Sequence, residues 1–218
     1  LKSLSGLVIL VGLTLLNIKG TKESGSFQII VTIGKVILLV WFVFGGLSSL
    51  DIADVAAKFS TDFVRISSTA AMVFITFFGF SAIAASAGEI KNPVKPIPRA
   101  IFICMGIVTL LYILVVVVVV SAKLTEYTEA ALGIAARQFL GPIGGLVIVA
   151  GALFSMLSAS NASIMAGSRV ALSMSRLGHL PEKIGQINIH TRTPVFALIS
   201  VGVMILIFIL SFNLEDLA

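Results

Sequence analysis

Stretches of roughly twenty mostly apolar residues, enough for a helix to cross about 30 Å of hydrocarbon, recur along this chain and dictate its architecture. Five are full length, at 27–50, 66–87, 100–122, 143–170 and 194–212 of the 218 residues. A sixth, 4–18, is short and starts abruptly after a first residue that is not methionine, so the chain reads as a fragment of a longer protein. Charged residues make up 11% and apolar ones 58%, whereas a soluble domain carries about a quarter charged. The expectation is an all-α, multi-pass membrane protein of about six transmembrane helices forming one domain, 1–218.

The net charge of +5 does not point to nucleic acid, because the basic residues are sorted by side. Alternate loops place Lys19, Lys22, Lys91, Lys95, Arg99, Arg169, Arg176, Lys183 and Arg192, nine of fifteen, on one side. Lys2, Lys58, Arg65, Lys123 and Arg137 fall on the other. By the positive-inside rule the first side is cytoplasmic and both ends of the chain are external. No leader pattern precedes the first span, so export is not expected. A single cysteine, Cys104, sits in an apolar run and reads as packing, and no cofactor or metal is expected. The external connections 51–65 and 123–142 are amphipathic at best, with room for short surface helices.

The spans differ in character. Val115 through Val120 carries no polar side chain and suits a lipid-facing wall. Span five instead repeats Gly151, Ser155, Ala159, Ser163 and Gly167, small residues that let helix backbones approach closely. Ser158 and Asn161 lie beside this ladder, three residues apart on one face. Their side chains need partners inside a bilayer, through interhelical hydrogen bonds first and substrate contact second.

Span three carries the sharpest signal, Phe77-Phe78-Gly79-Phe80-Ser81. A glycine between aromatics in mid-span is where a helix can open and offer bare backbone to a ligand. The half-helices 66–78 and 81–87 would turn free carbonyls and free amides, opposite partial charges, toward the gap, which suits a zwitterion. The alternative is a lone glycine tolerated in an intact helix. Lys35 is the only charge embedded in a span, roughly 12 Å into the hydrocarbon. An ammonium is costly there, which makes it a candidate for proton exchange during conformational change; snorkelling or pairing with a carbonyl is the alternative. Glu89, at the cytoplasmic end with Pro93, Pro96 and Pro98, can meet Arg99 or Arg169 as an inner gate or remain solvated.

The run from Phe77 through Arg99, FFGFSAIAASAGEIKNPVKPIPR, resembles the sixth-helix signature of amino acid permeases of the amino acid, polyamine and organocation transporter superfamily. Two further stretches agree in order: Leu16 to Ser24 before the helix that holds Lys35, and Ser168 to Pro181 after span five. The resemblance implies a LeuT-type inverted-repeat fold, of which this chain would be a part running from the fourth helix to the ninth. It implies that Phe78, Gly79, Phe80 and Ser81 form the unwound segment receiving the substrate's amino group, with Phe78 closing over it. Ser81 departs from relatives with an acid there, which argues against cationic side chains. Relatives with a lysine matching Lys35 are proton-linked, the ammonium standing where a sodium ion would bind.

A secondary transporter for amino acids in the cell membrane, driven by protons through alternating access, accounts for these features together. In that picture spans three and five move against a scaffold that includes spans one and six. Polyamine or inorganic cation transport and amino acid exchange are the alternatives, and a channel subunit is more remote because no filter or charged ring is visible. An enzyme is not expected: His179 and His190 share a loop, with no HExxH and no paired intramembrane acids.

Overall fold

The computed structural model describes residues 2–50, 52–59, 61–77, 79, 83, 87, 90, 92–128 and 130–211. Among them there is no strand. The helices are α1 (Lys2–Lys19), α2 (Thr21–Leu47), the short α3 (Ile52–Ala57), α4 (Phe63–Thr76), α5 (Pro96–Ser121), α6 (Ala131–Arg176) and α7 (Val195–Ser211), with a 3-10 turn at Glu182–Gly185. α2, α5 and α6 are long and apolar enough to cross a membrane, while stretches of α1, α4 and α7 are apolar but shorter.

Local chemistry sets several of the helix ends. Asp62 caps α4 by accepting a hydrogen bond from the Val64 amide at 3.0 Å. Proline occupies the first turn of α5, where the missing N–H has no intrahelical partner to lose. Within α6, Gly141 is non-helical, with φ 72° and ψ −168°, so two helical segments meet there. Only glycine takes that backbone at little cost, and Pro142 after it disfavours the α conformation for its predecessor.

The chain divides into two compact units. In Leu1–Thr32 with Ser155–Ala218, α1 packs along α7 around the buried Leu10, Leu13, Ile164 and Leu198. The Thr193 hydroxyl donates to the Ile18 carbonyl at 3.2 Å, fastening the end of α1 to the start of α7. The Ser175 hydroxyl donates to the Pro181 carbonyl at 2.7 Å, pinning the loop after α6.

In Ile33–Phe154, the core gathers Phe42 and Val43 of α2, Val118 of α5, Ala122, and Ala135, Ala136 and Ile148 of α6. Gly46 lies so close to Val118 and Phe139 that a side chain there would collide with both. The connection expected to hold surface helices therefore differs in one respect: Ala135 and Ala136 within it are fully buried. α3 packs on α5, and Lys58 reaches the Val120 carbonyl at 3.4 Å and the Tyr127 hydroxyl at 3.3 Å.

Candidate functional site

In α4 the regular helix ends at Thr76, immediately before the aromatic-glycine segment. The Phe77 amide donates to the Phe74 carbonyl at 3.1 Å and closes the last turn. Phe77 and Gly79 are in turn conformation. The Phe77 ring meets Tyr112 of α5 edge-on, with centroids 5.4 Å apart. At Gly79 nothing among the described residues lies within 4 Å of where a Cβ would stand, so its backbone borders open space. Phe78, Phe80, Ser81 and Glu89 lie outside the described residues.

α4 itself is exposed along its whole length, Met72 by 71% and Ile75 by 71%. Asp62 and Arg65 form an exposed ion pair at its start, 3.5 Å apart and three residues apart in sequence. Such a pair contributes little.

Ser158 and Asn161 sit in a different environment. Both are buried, Asn161 completely, at the centre of a polar cluster on α1, α2 and α6. Asn17 Nδ2 donates to Asn161 Oδ1 and to the Leu13 carbonyl, each at 2.8 Å. Asn161 Nδ2 donates to Gln28 Oε1 at 3.1 Å, and Gln28 Nε2 donates to Ser158 Oγ at 2.7 Å. Ser24 Oγ donates to Asn17 Oδ1 at 2.8 Å, and Thr32 and Ser158 hydroxyls lie 3.4 Å apart. Both oxygen and nitrogen of the Asn17, Asn161 and Gln28 amides are thus engaged within the cluster. Buried amides satisfied in this way fix helix positions, because separating the helices leaves each one unpaired in an apolar medium.

Sequence reasoning found Ser158 and Asn161 but not Asn17, Ser24, Gln28 and Thr32 as their partners. A signal existed: Ser24, Gln28 and Thr32 recur every four residues on one side of α2. The small-residue ladder behaves less simply. Gly151 faces Leu38 of α2, and Gly167 faces Val201 of α7, each with a virtual Cβ contact of 3.3 Å, while Ala159 between them is exposed. A four-residue step overshoots the helical turn by roughly 40°, so over four steps the stripe winds roughly 160° around α6.

Lys35 lies near the middle of α2 and is partly buried. Arg99 is exposed in the first turn of α5, and Arg169 is partly buried in the second half of α6. The two arginines belong to different compact units.

Comparison with known proteins adds a consistent result. Residues 1–216 match the family model described as amino acid permease. An uncharacterized protein from Methanocaldococcus jannaschii is 34% identical over 94% of this chain and 48% of its own length. The serine/threonine exchanger SteT of Bacillus subtilis is 30% identical over 100% of this chain and 51% of its own. The inner membrane transport protein YbaT of Escherichia coli is 28% identical over 99% and 50%. The chain spans about half the length of the curated relatives it matches.

Proposed function

We propose, since this chain belongs to the amino acid permease family, that the full-length protein is a secondary active transporter moving amino acids across the cell membrane by alternating access. It is an integral membrane protein whose named relatives are transport proteins, and nothing in its motifs calls for a catalytic reading. The observation that carries the proposal is the end of α4 at Thr76, with open backbone at Gly79.

In this reading the chain supplies the fourth to ninth helices of a LeuT-type inverted repeat. The backbone from Phe77 to Ser81 receives the substrate's amino group, Phe78 closes over it, and the neutral Ser81 favours substrates without a cationic side chain. Lys35 exchanges a proton as the protein changes state, because a charge held within a bilayer segment is costly in one environment and tolerable in another. Glu89 pairs with Arg99 or Arg169 when the cytoplasmic side closes. The amide cluster favours a smaller moving part than the sequence suggests: Asn17 and Asn161 keep the second half of α6 with α1, and α4 moves. Ser158 and Asn161 then act as helix ties, with substrate contact as their second role.

The test uses the full-length protein in proteoliposomes, with labelled amino acids and an imposed inward proton gradient. Gradient-dependent accumulation supports the proposal, and Lys35→Ala should then lose the gradient dependence while retaining exchange. Uptake only into vesicles preloaded with amino acid would make the protein an exchanger, the reading favoured by its likeness to SteT. Neither kind of uptake by inserted, folded protein would remove amino acids as the substrate and leave a polyamine or an inorganic cation.

A further inference from the structure

Between α1 and α7 runs a groove of about 290 Å³, bounded by Leu7 to Ile18 on one helix and Ile199 to Leu206 on the other. Its lining is apolar except for Thr14, which stands opposite Gly202. The Thr14 hydroxyl is buried and has no hydrogen-bond partner among the described residues. A buried hydroxyl in a membrane helix usually satisfies itself on its own backbone, so an unmatched one asks for a partner from outside the two helices.

One end of the groove is basic. Ile18 precedes Lys19, and the Thr193 that bonds to the Ile18 carbonyl follows Arg192. Both basic side chains are exposed. Lys22 at the start of α2 and Lys183, on the 3-10 turn that packs against α7, add to this end; Glu23 and Glu182 are its acids. Four basic residues against two acidic ones leave it positive.

Depth identifies the occupant. From Ile18 to Leu7 along α1 the groove descends roughly 16 Å at 1.5 Å per residue. One leaflet's hydrocarbon is about 15 Å, half the bilayer core. α7 continues to Ser211 without lining the groove further. A crossing helix would need about twice that depth. Thr14 lies roughly 6 Å below Ile18. The interfacial zone that separates a lipid's phosphate from its acyl region is also about 5–7 Å thick.

We infer that this groove is a site for an anionic phospholipid of the cytoplasmic leaflet. One acyl chain lies between α1 and α7, an ester carbonyl accepts from the Thr14 hydroxyl once that side chain turns it away from Gly202, and the phosphate meets Lys19 and Arg192. The assignment of leaflet rests on the sidedness of the basic loops, and the site itself does not depend on what the protein transports.

The full-length protein in phosphatidylcholine nanodiscs, doped with phosphatidylglycerol bearing a diazirine on one acyl chain, tests this. Illumination followed by peptide mass spectrometry should place adducts on 7–18 and 199–206. Phosphatidylcholine carrying the same diazirine should label these segments far less. Combined Lys19→Gln and Arg192→Gln should cut phosphatidylglycerol labelling roughly thirty-fold, from the contribution of two basic residues at an anionic surface. These exposed substitutions leave the fold intact, and Val203→Trp, at an exposed position that lines the groove, should fill it and abolish labelling by either lipid. Equal labelling by the two lipids, or labelling untouched by the charge substitutions, would overturn the inference. So would labelled lipid excluded from both segments, because the groove would then be occupied by protein. Each readout is independent of uptake.

Discussion

The end of α4 and the cluster around Asn161 are both polar interruptions of apolar spans, yet they are built in opposite ways. Around Asn161 the amides of three helices satisfy one another, with Asn161 buried completely, Asn17 buried and Gln28 partly buried. The regular helix α4 ends at Thr76, Gly79 borders open space among the described residues, and the helix leading there has no buried residue. A satisfied network has nothing left to offer a ligand and resists separation. An interrupted helix has donors and acceptors to spare and little packing to hold it. Under the proposed function the first region is the fixed structure, and the second is where ligand contact and movement are expected.

The largest expected effect comes from Gly79→Leu. A side chain there meets open space, so the thermal midpoint of the full-length protein should stay within a degree or two of the parent's. Uptake should fall about ten- to a hundred-fold, the equivalent of one charge-assisted hydrogen bond to the substrate's ammonium. Asn161→Leu should do the reverse. It leaves the Gln28 oxygen and the Asn17 nitrogen each short of a partner and should cost about 2–3 kcal/mol, read as a lower thermal midpoint in detergent. Uptake per folded molecule should persist. If Asn161→Leu abolished uptake at an unchanged midpoint, the comparison would break and Asn161 would be a substrate ligand.

Much of this contrast was legible in the sequence. The aromatic-glycine segment declared itself because glycine and bulky aromatics in mid-span have few structural uses, and α4 does end beside it. Hydropathy located apolar stretches but not helix ends, since it registers hydrocarbon rather than hydrogen bonding. α2 begins at Thr21, six residues ahead of its apolar part, because Thr21 to Ser26 is helical but polar. The partners of Asn161 stayed hidden for a different reason. Asn17 and Gln28 are 144 and 133 residues away from it in sequence, and only tertiary packing brings them together. The ladder on α6 was visible as a pattern, yet its winding made it two contacts on different helices instead of one seam.

The second unit supplies a smaller test on the fixed side of the comparison. Gly46→Val would push a side chain into Val118 and Phe139, both packed beside the fully buried Phe42. Overpacking of this kind costs about 1–3 kcal/mol and should lower the thermal midpoint without altering uptake per folded molecule.

Lys58→Ala should register least. Its ammonium donates to the Val120 carbonyl and the Tyr127 hydroxyl and lies 5.9 Å from the tyrosine ring centroid, but all these contacts are exposed. Solvent competes for each of them, so the loss should be about 0.5–1 kcal/mol. A loss several times larger would mean that the connection carrying Lys58 is held as firmly as the amide cluster. Fixed structure would then extend into that connection, and α4, which follows it, would begin from a rigid anchor and end at Thr76 near the open space at Gly79.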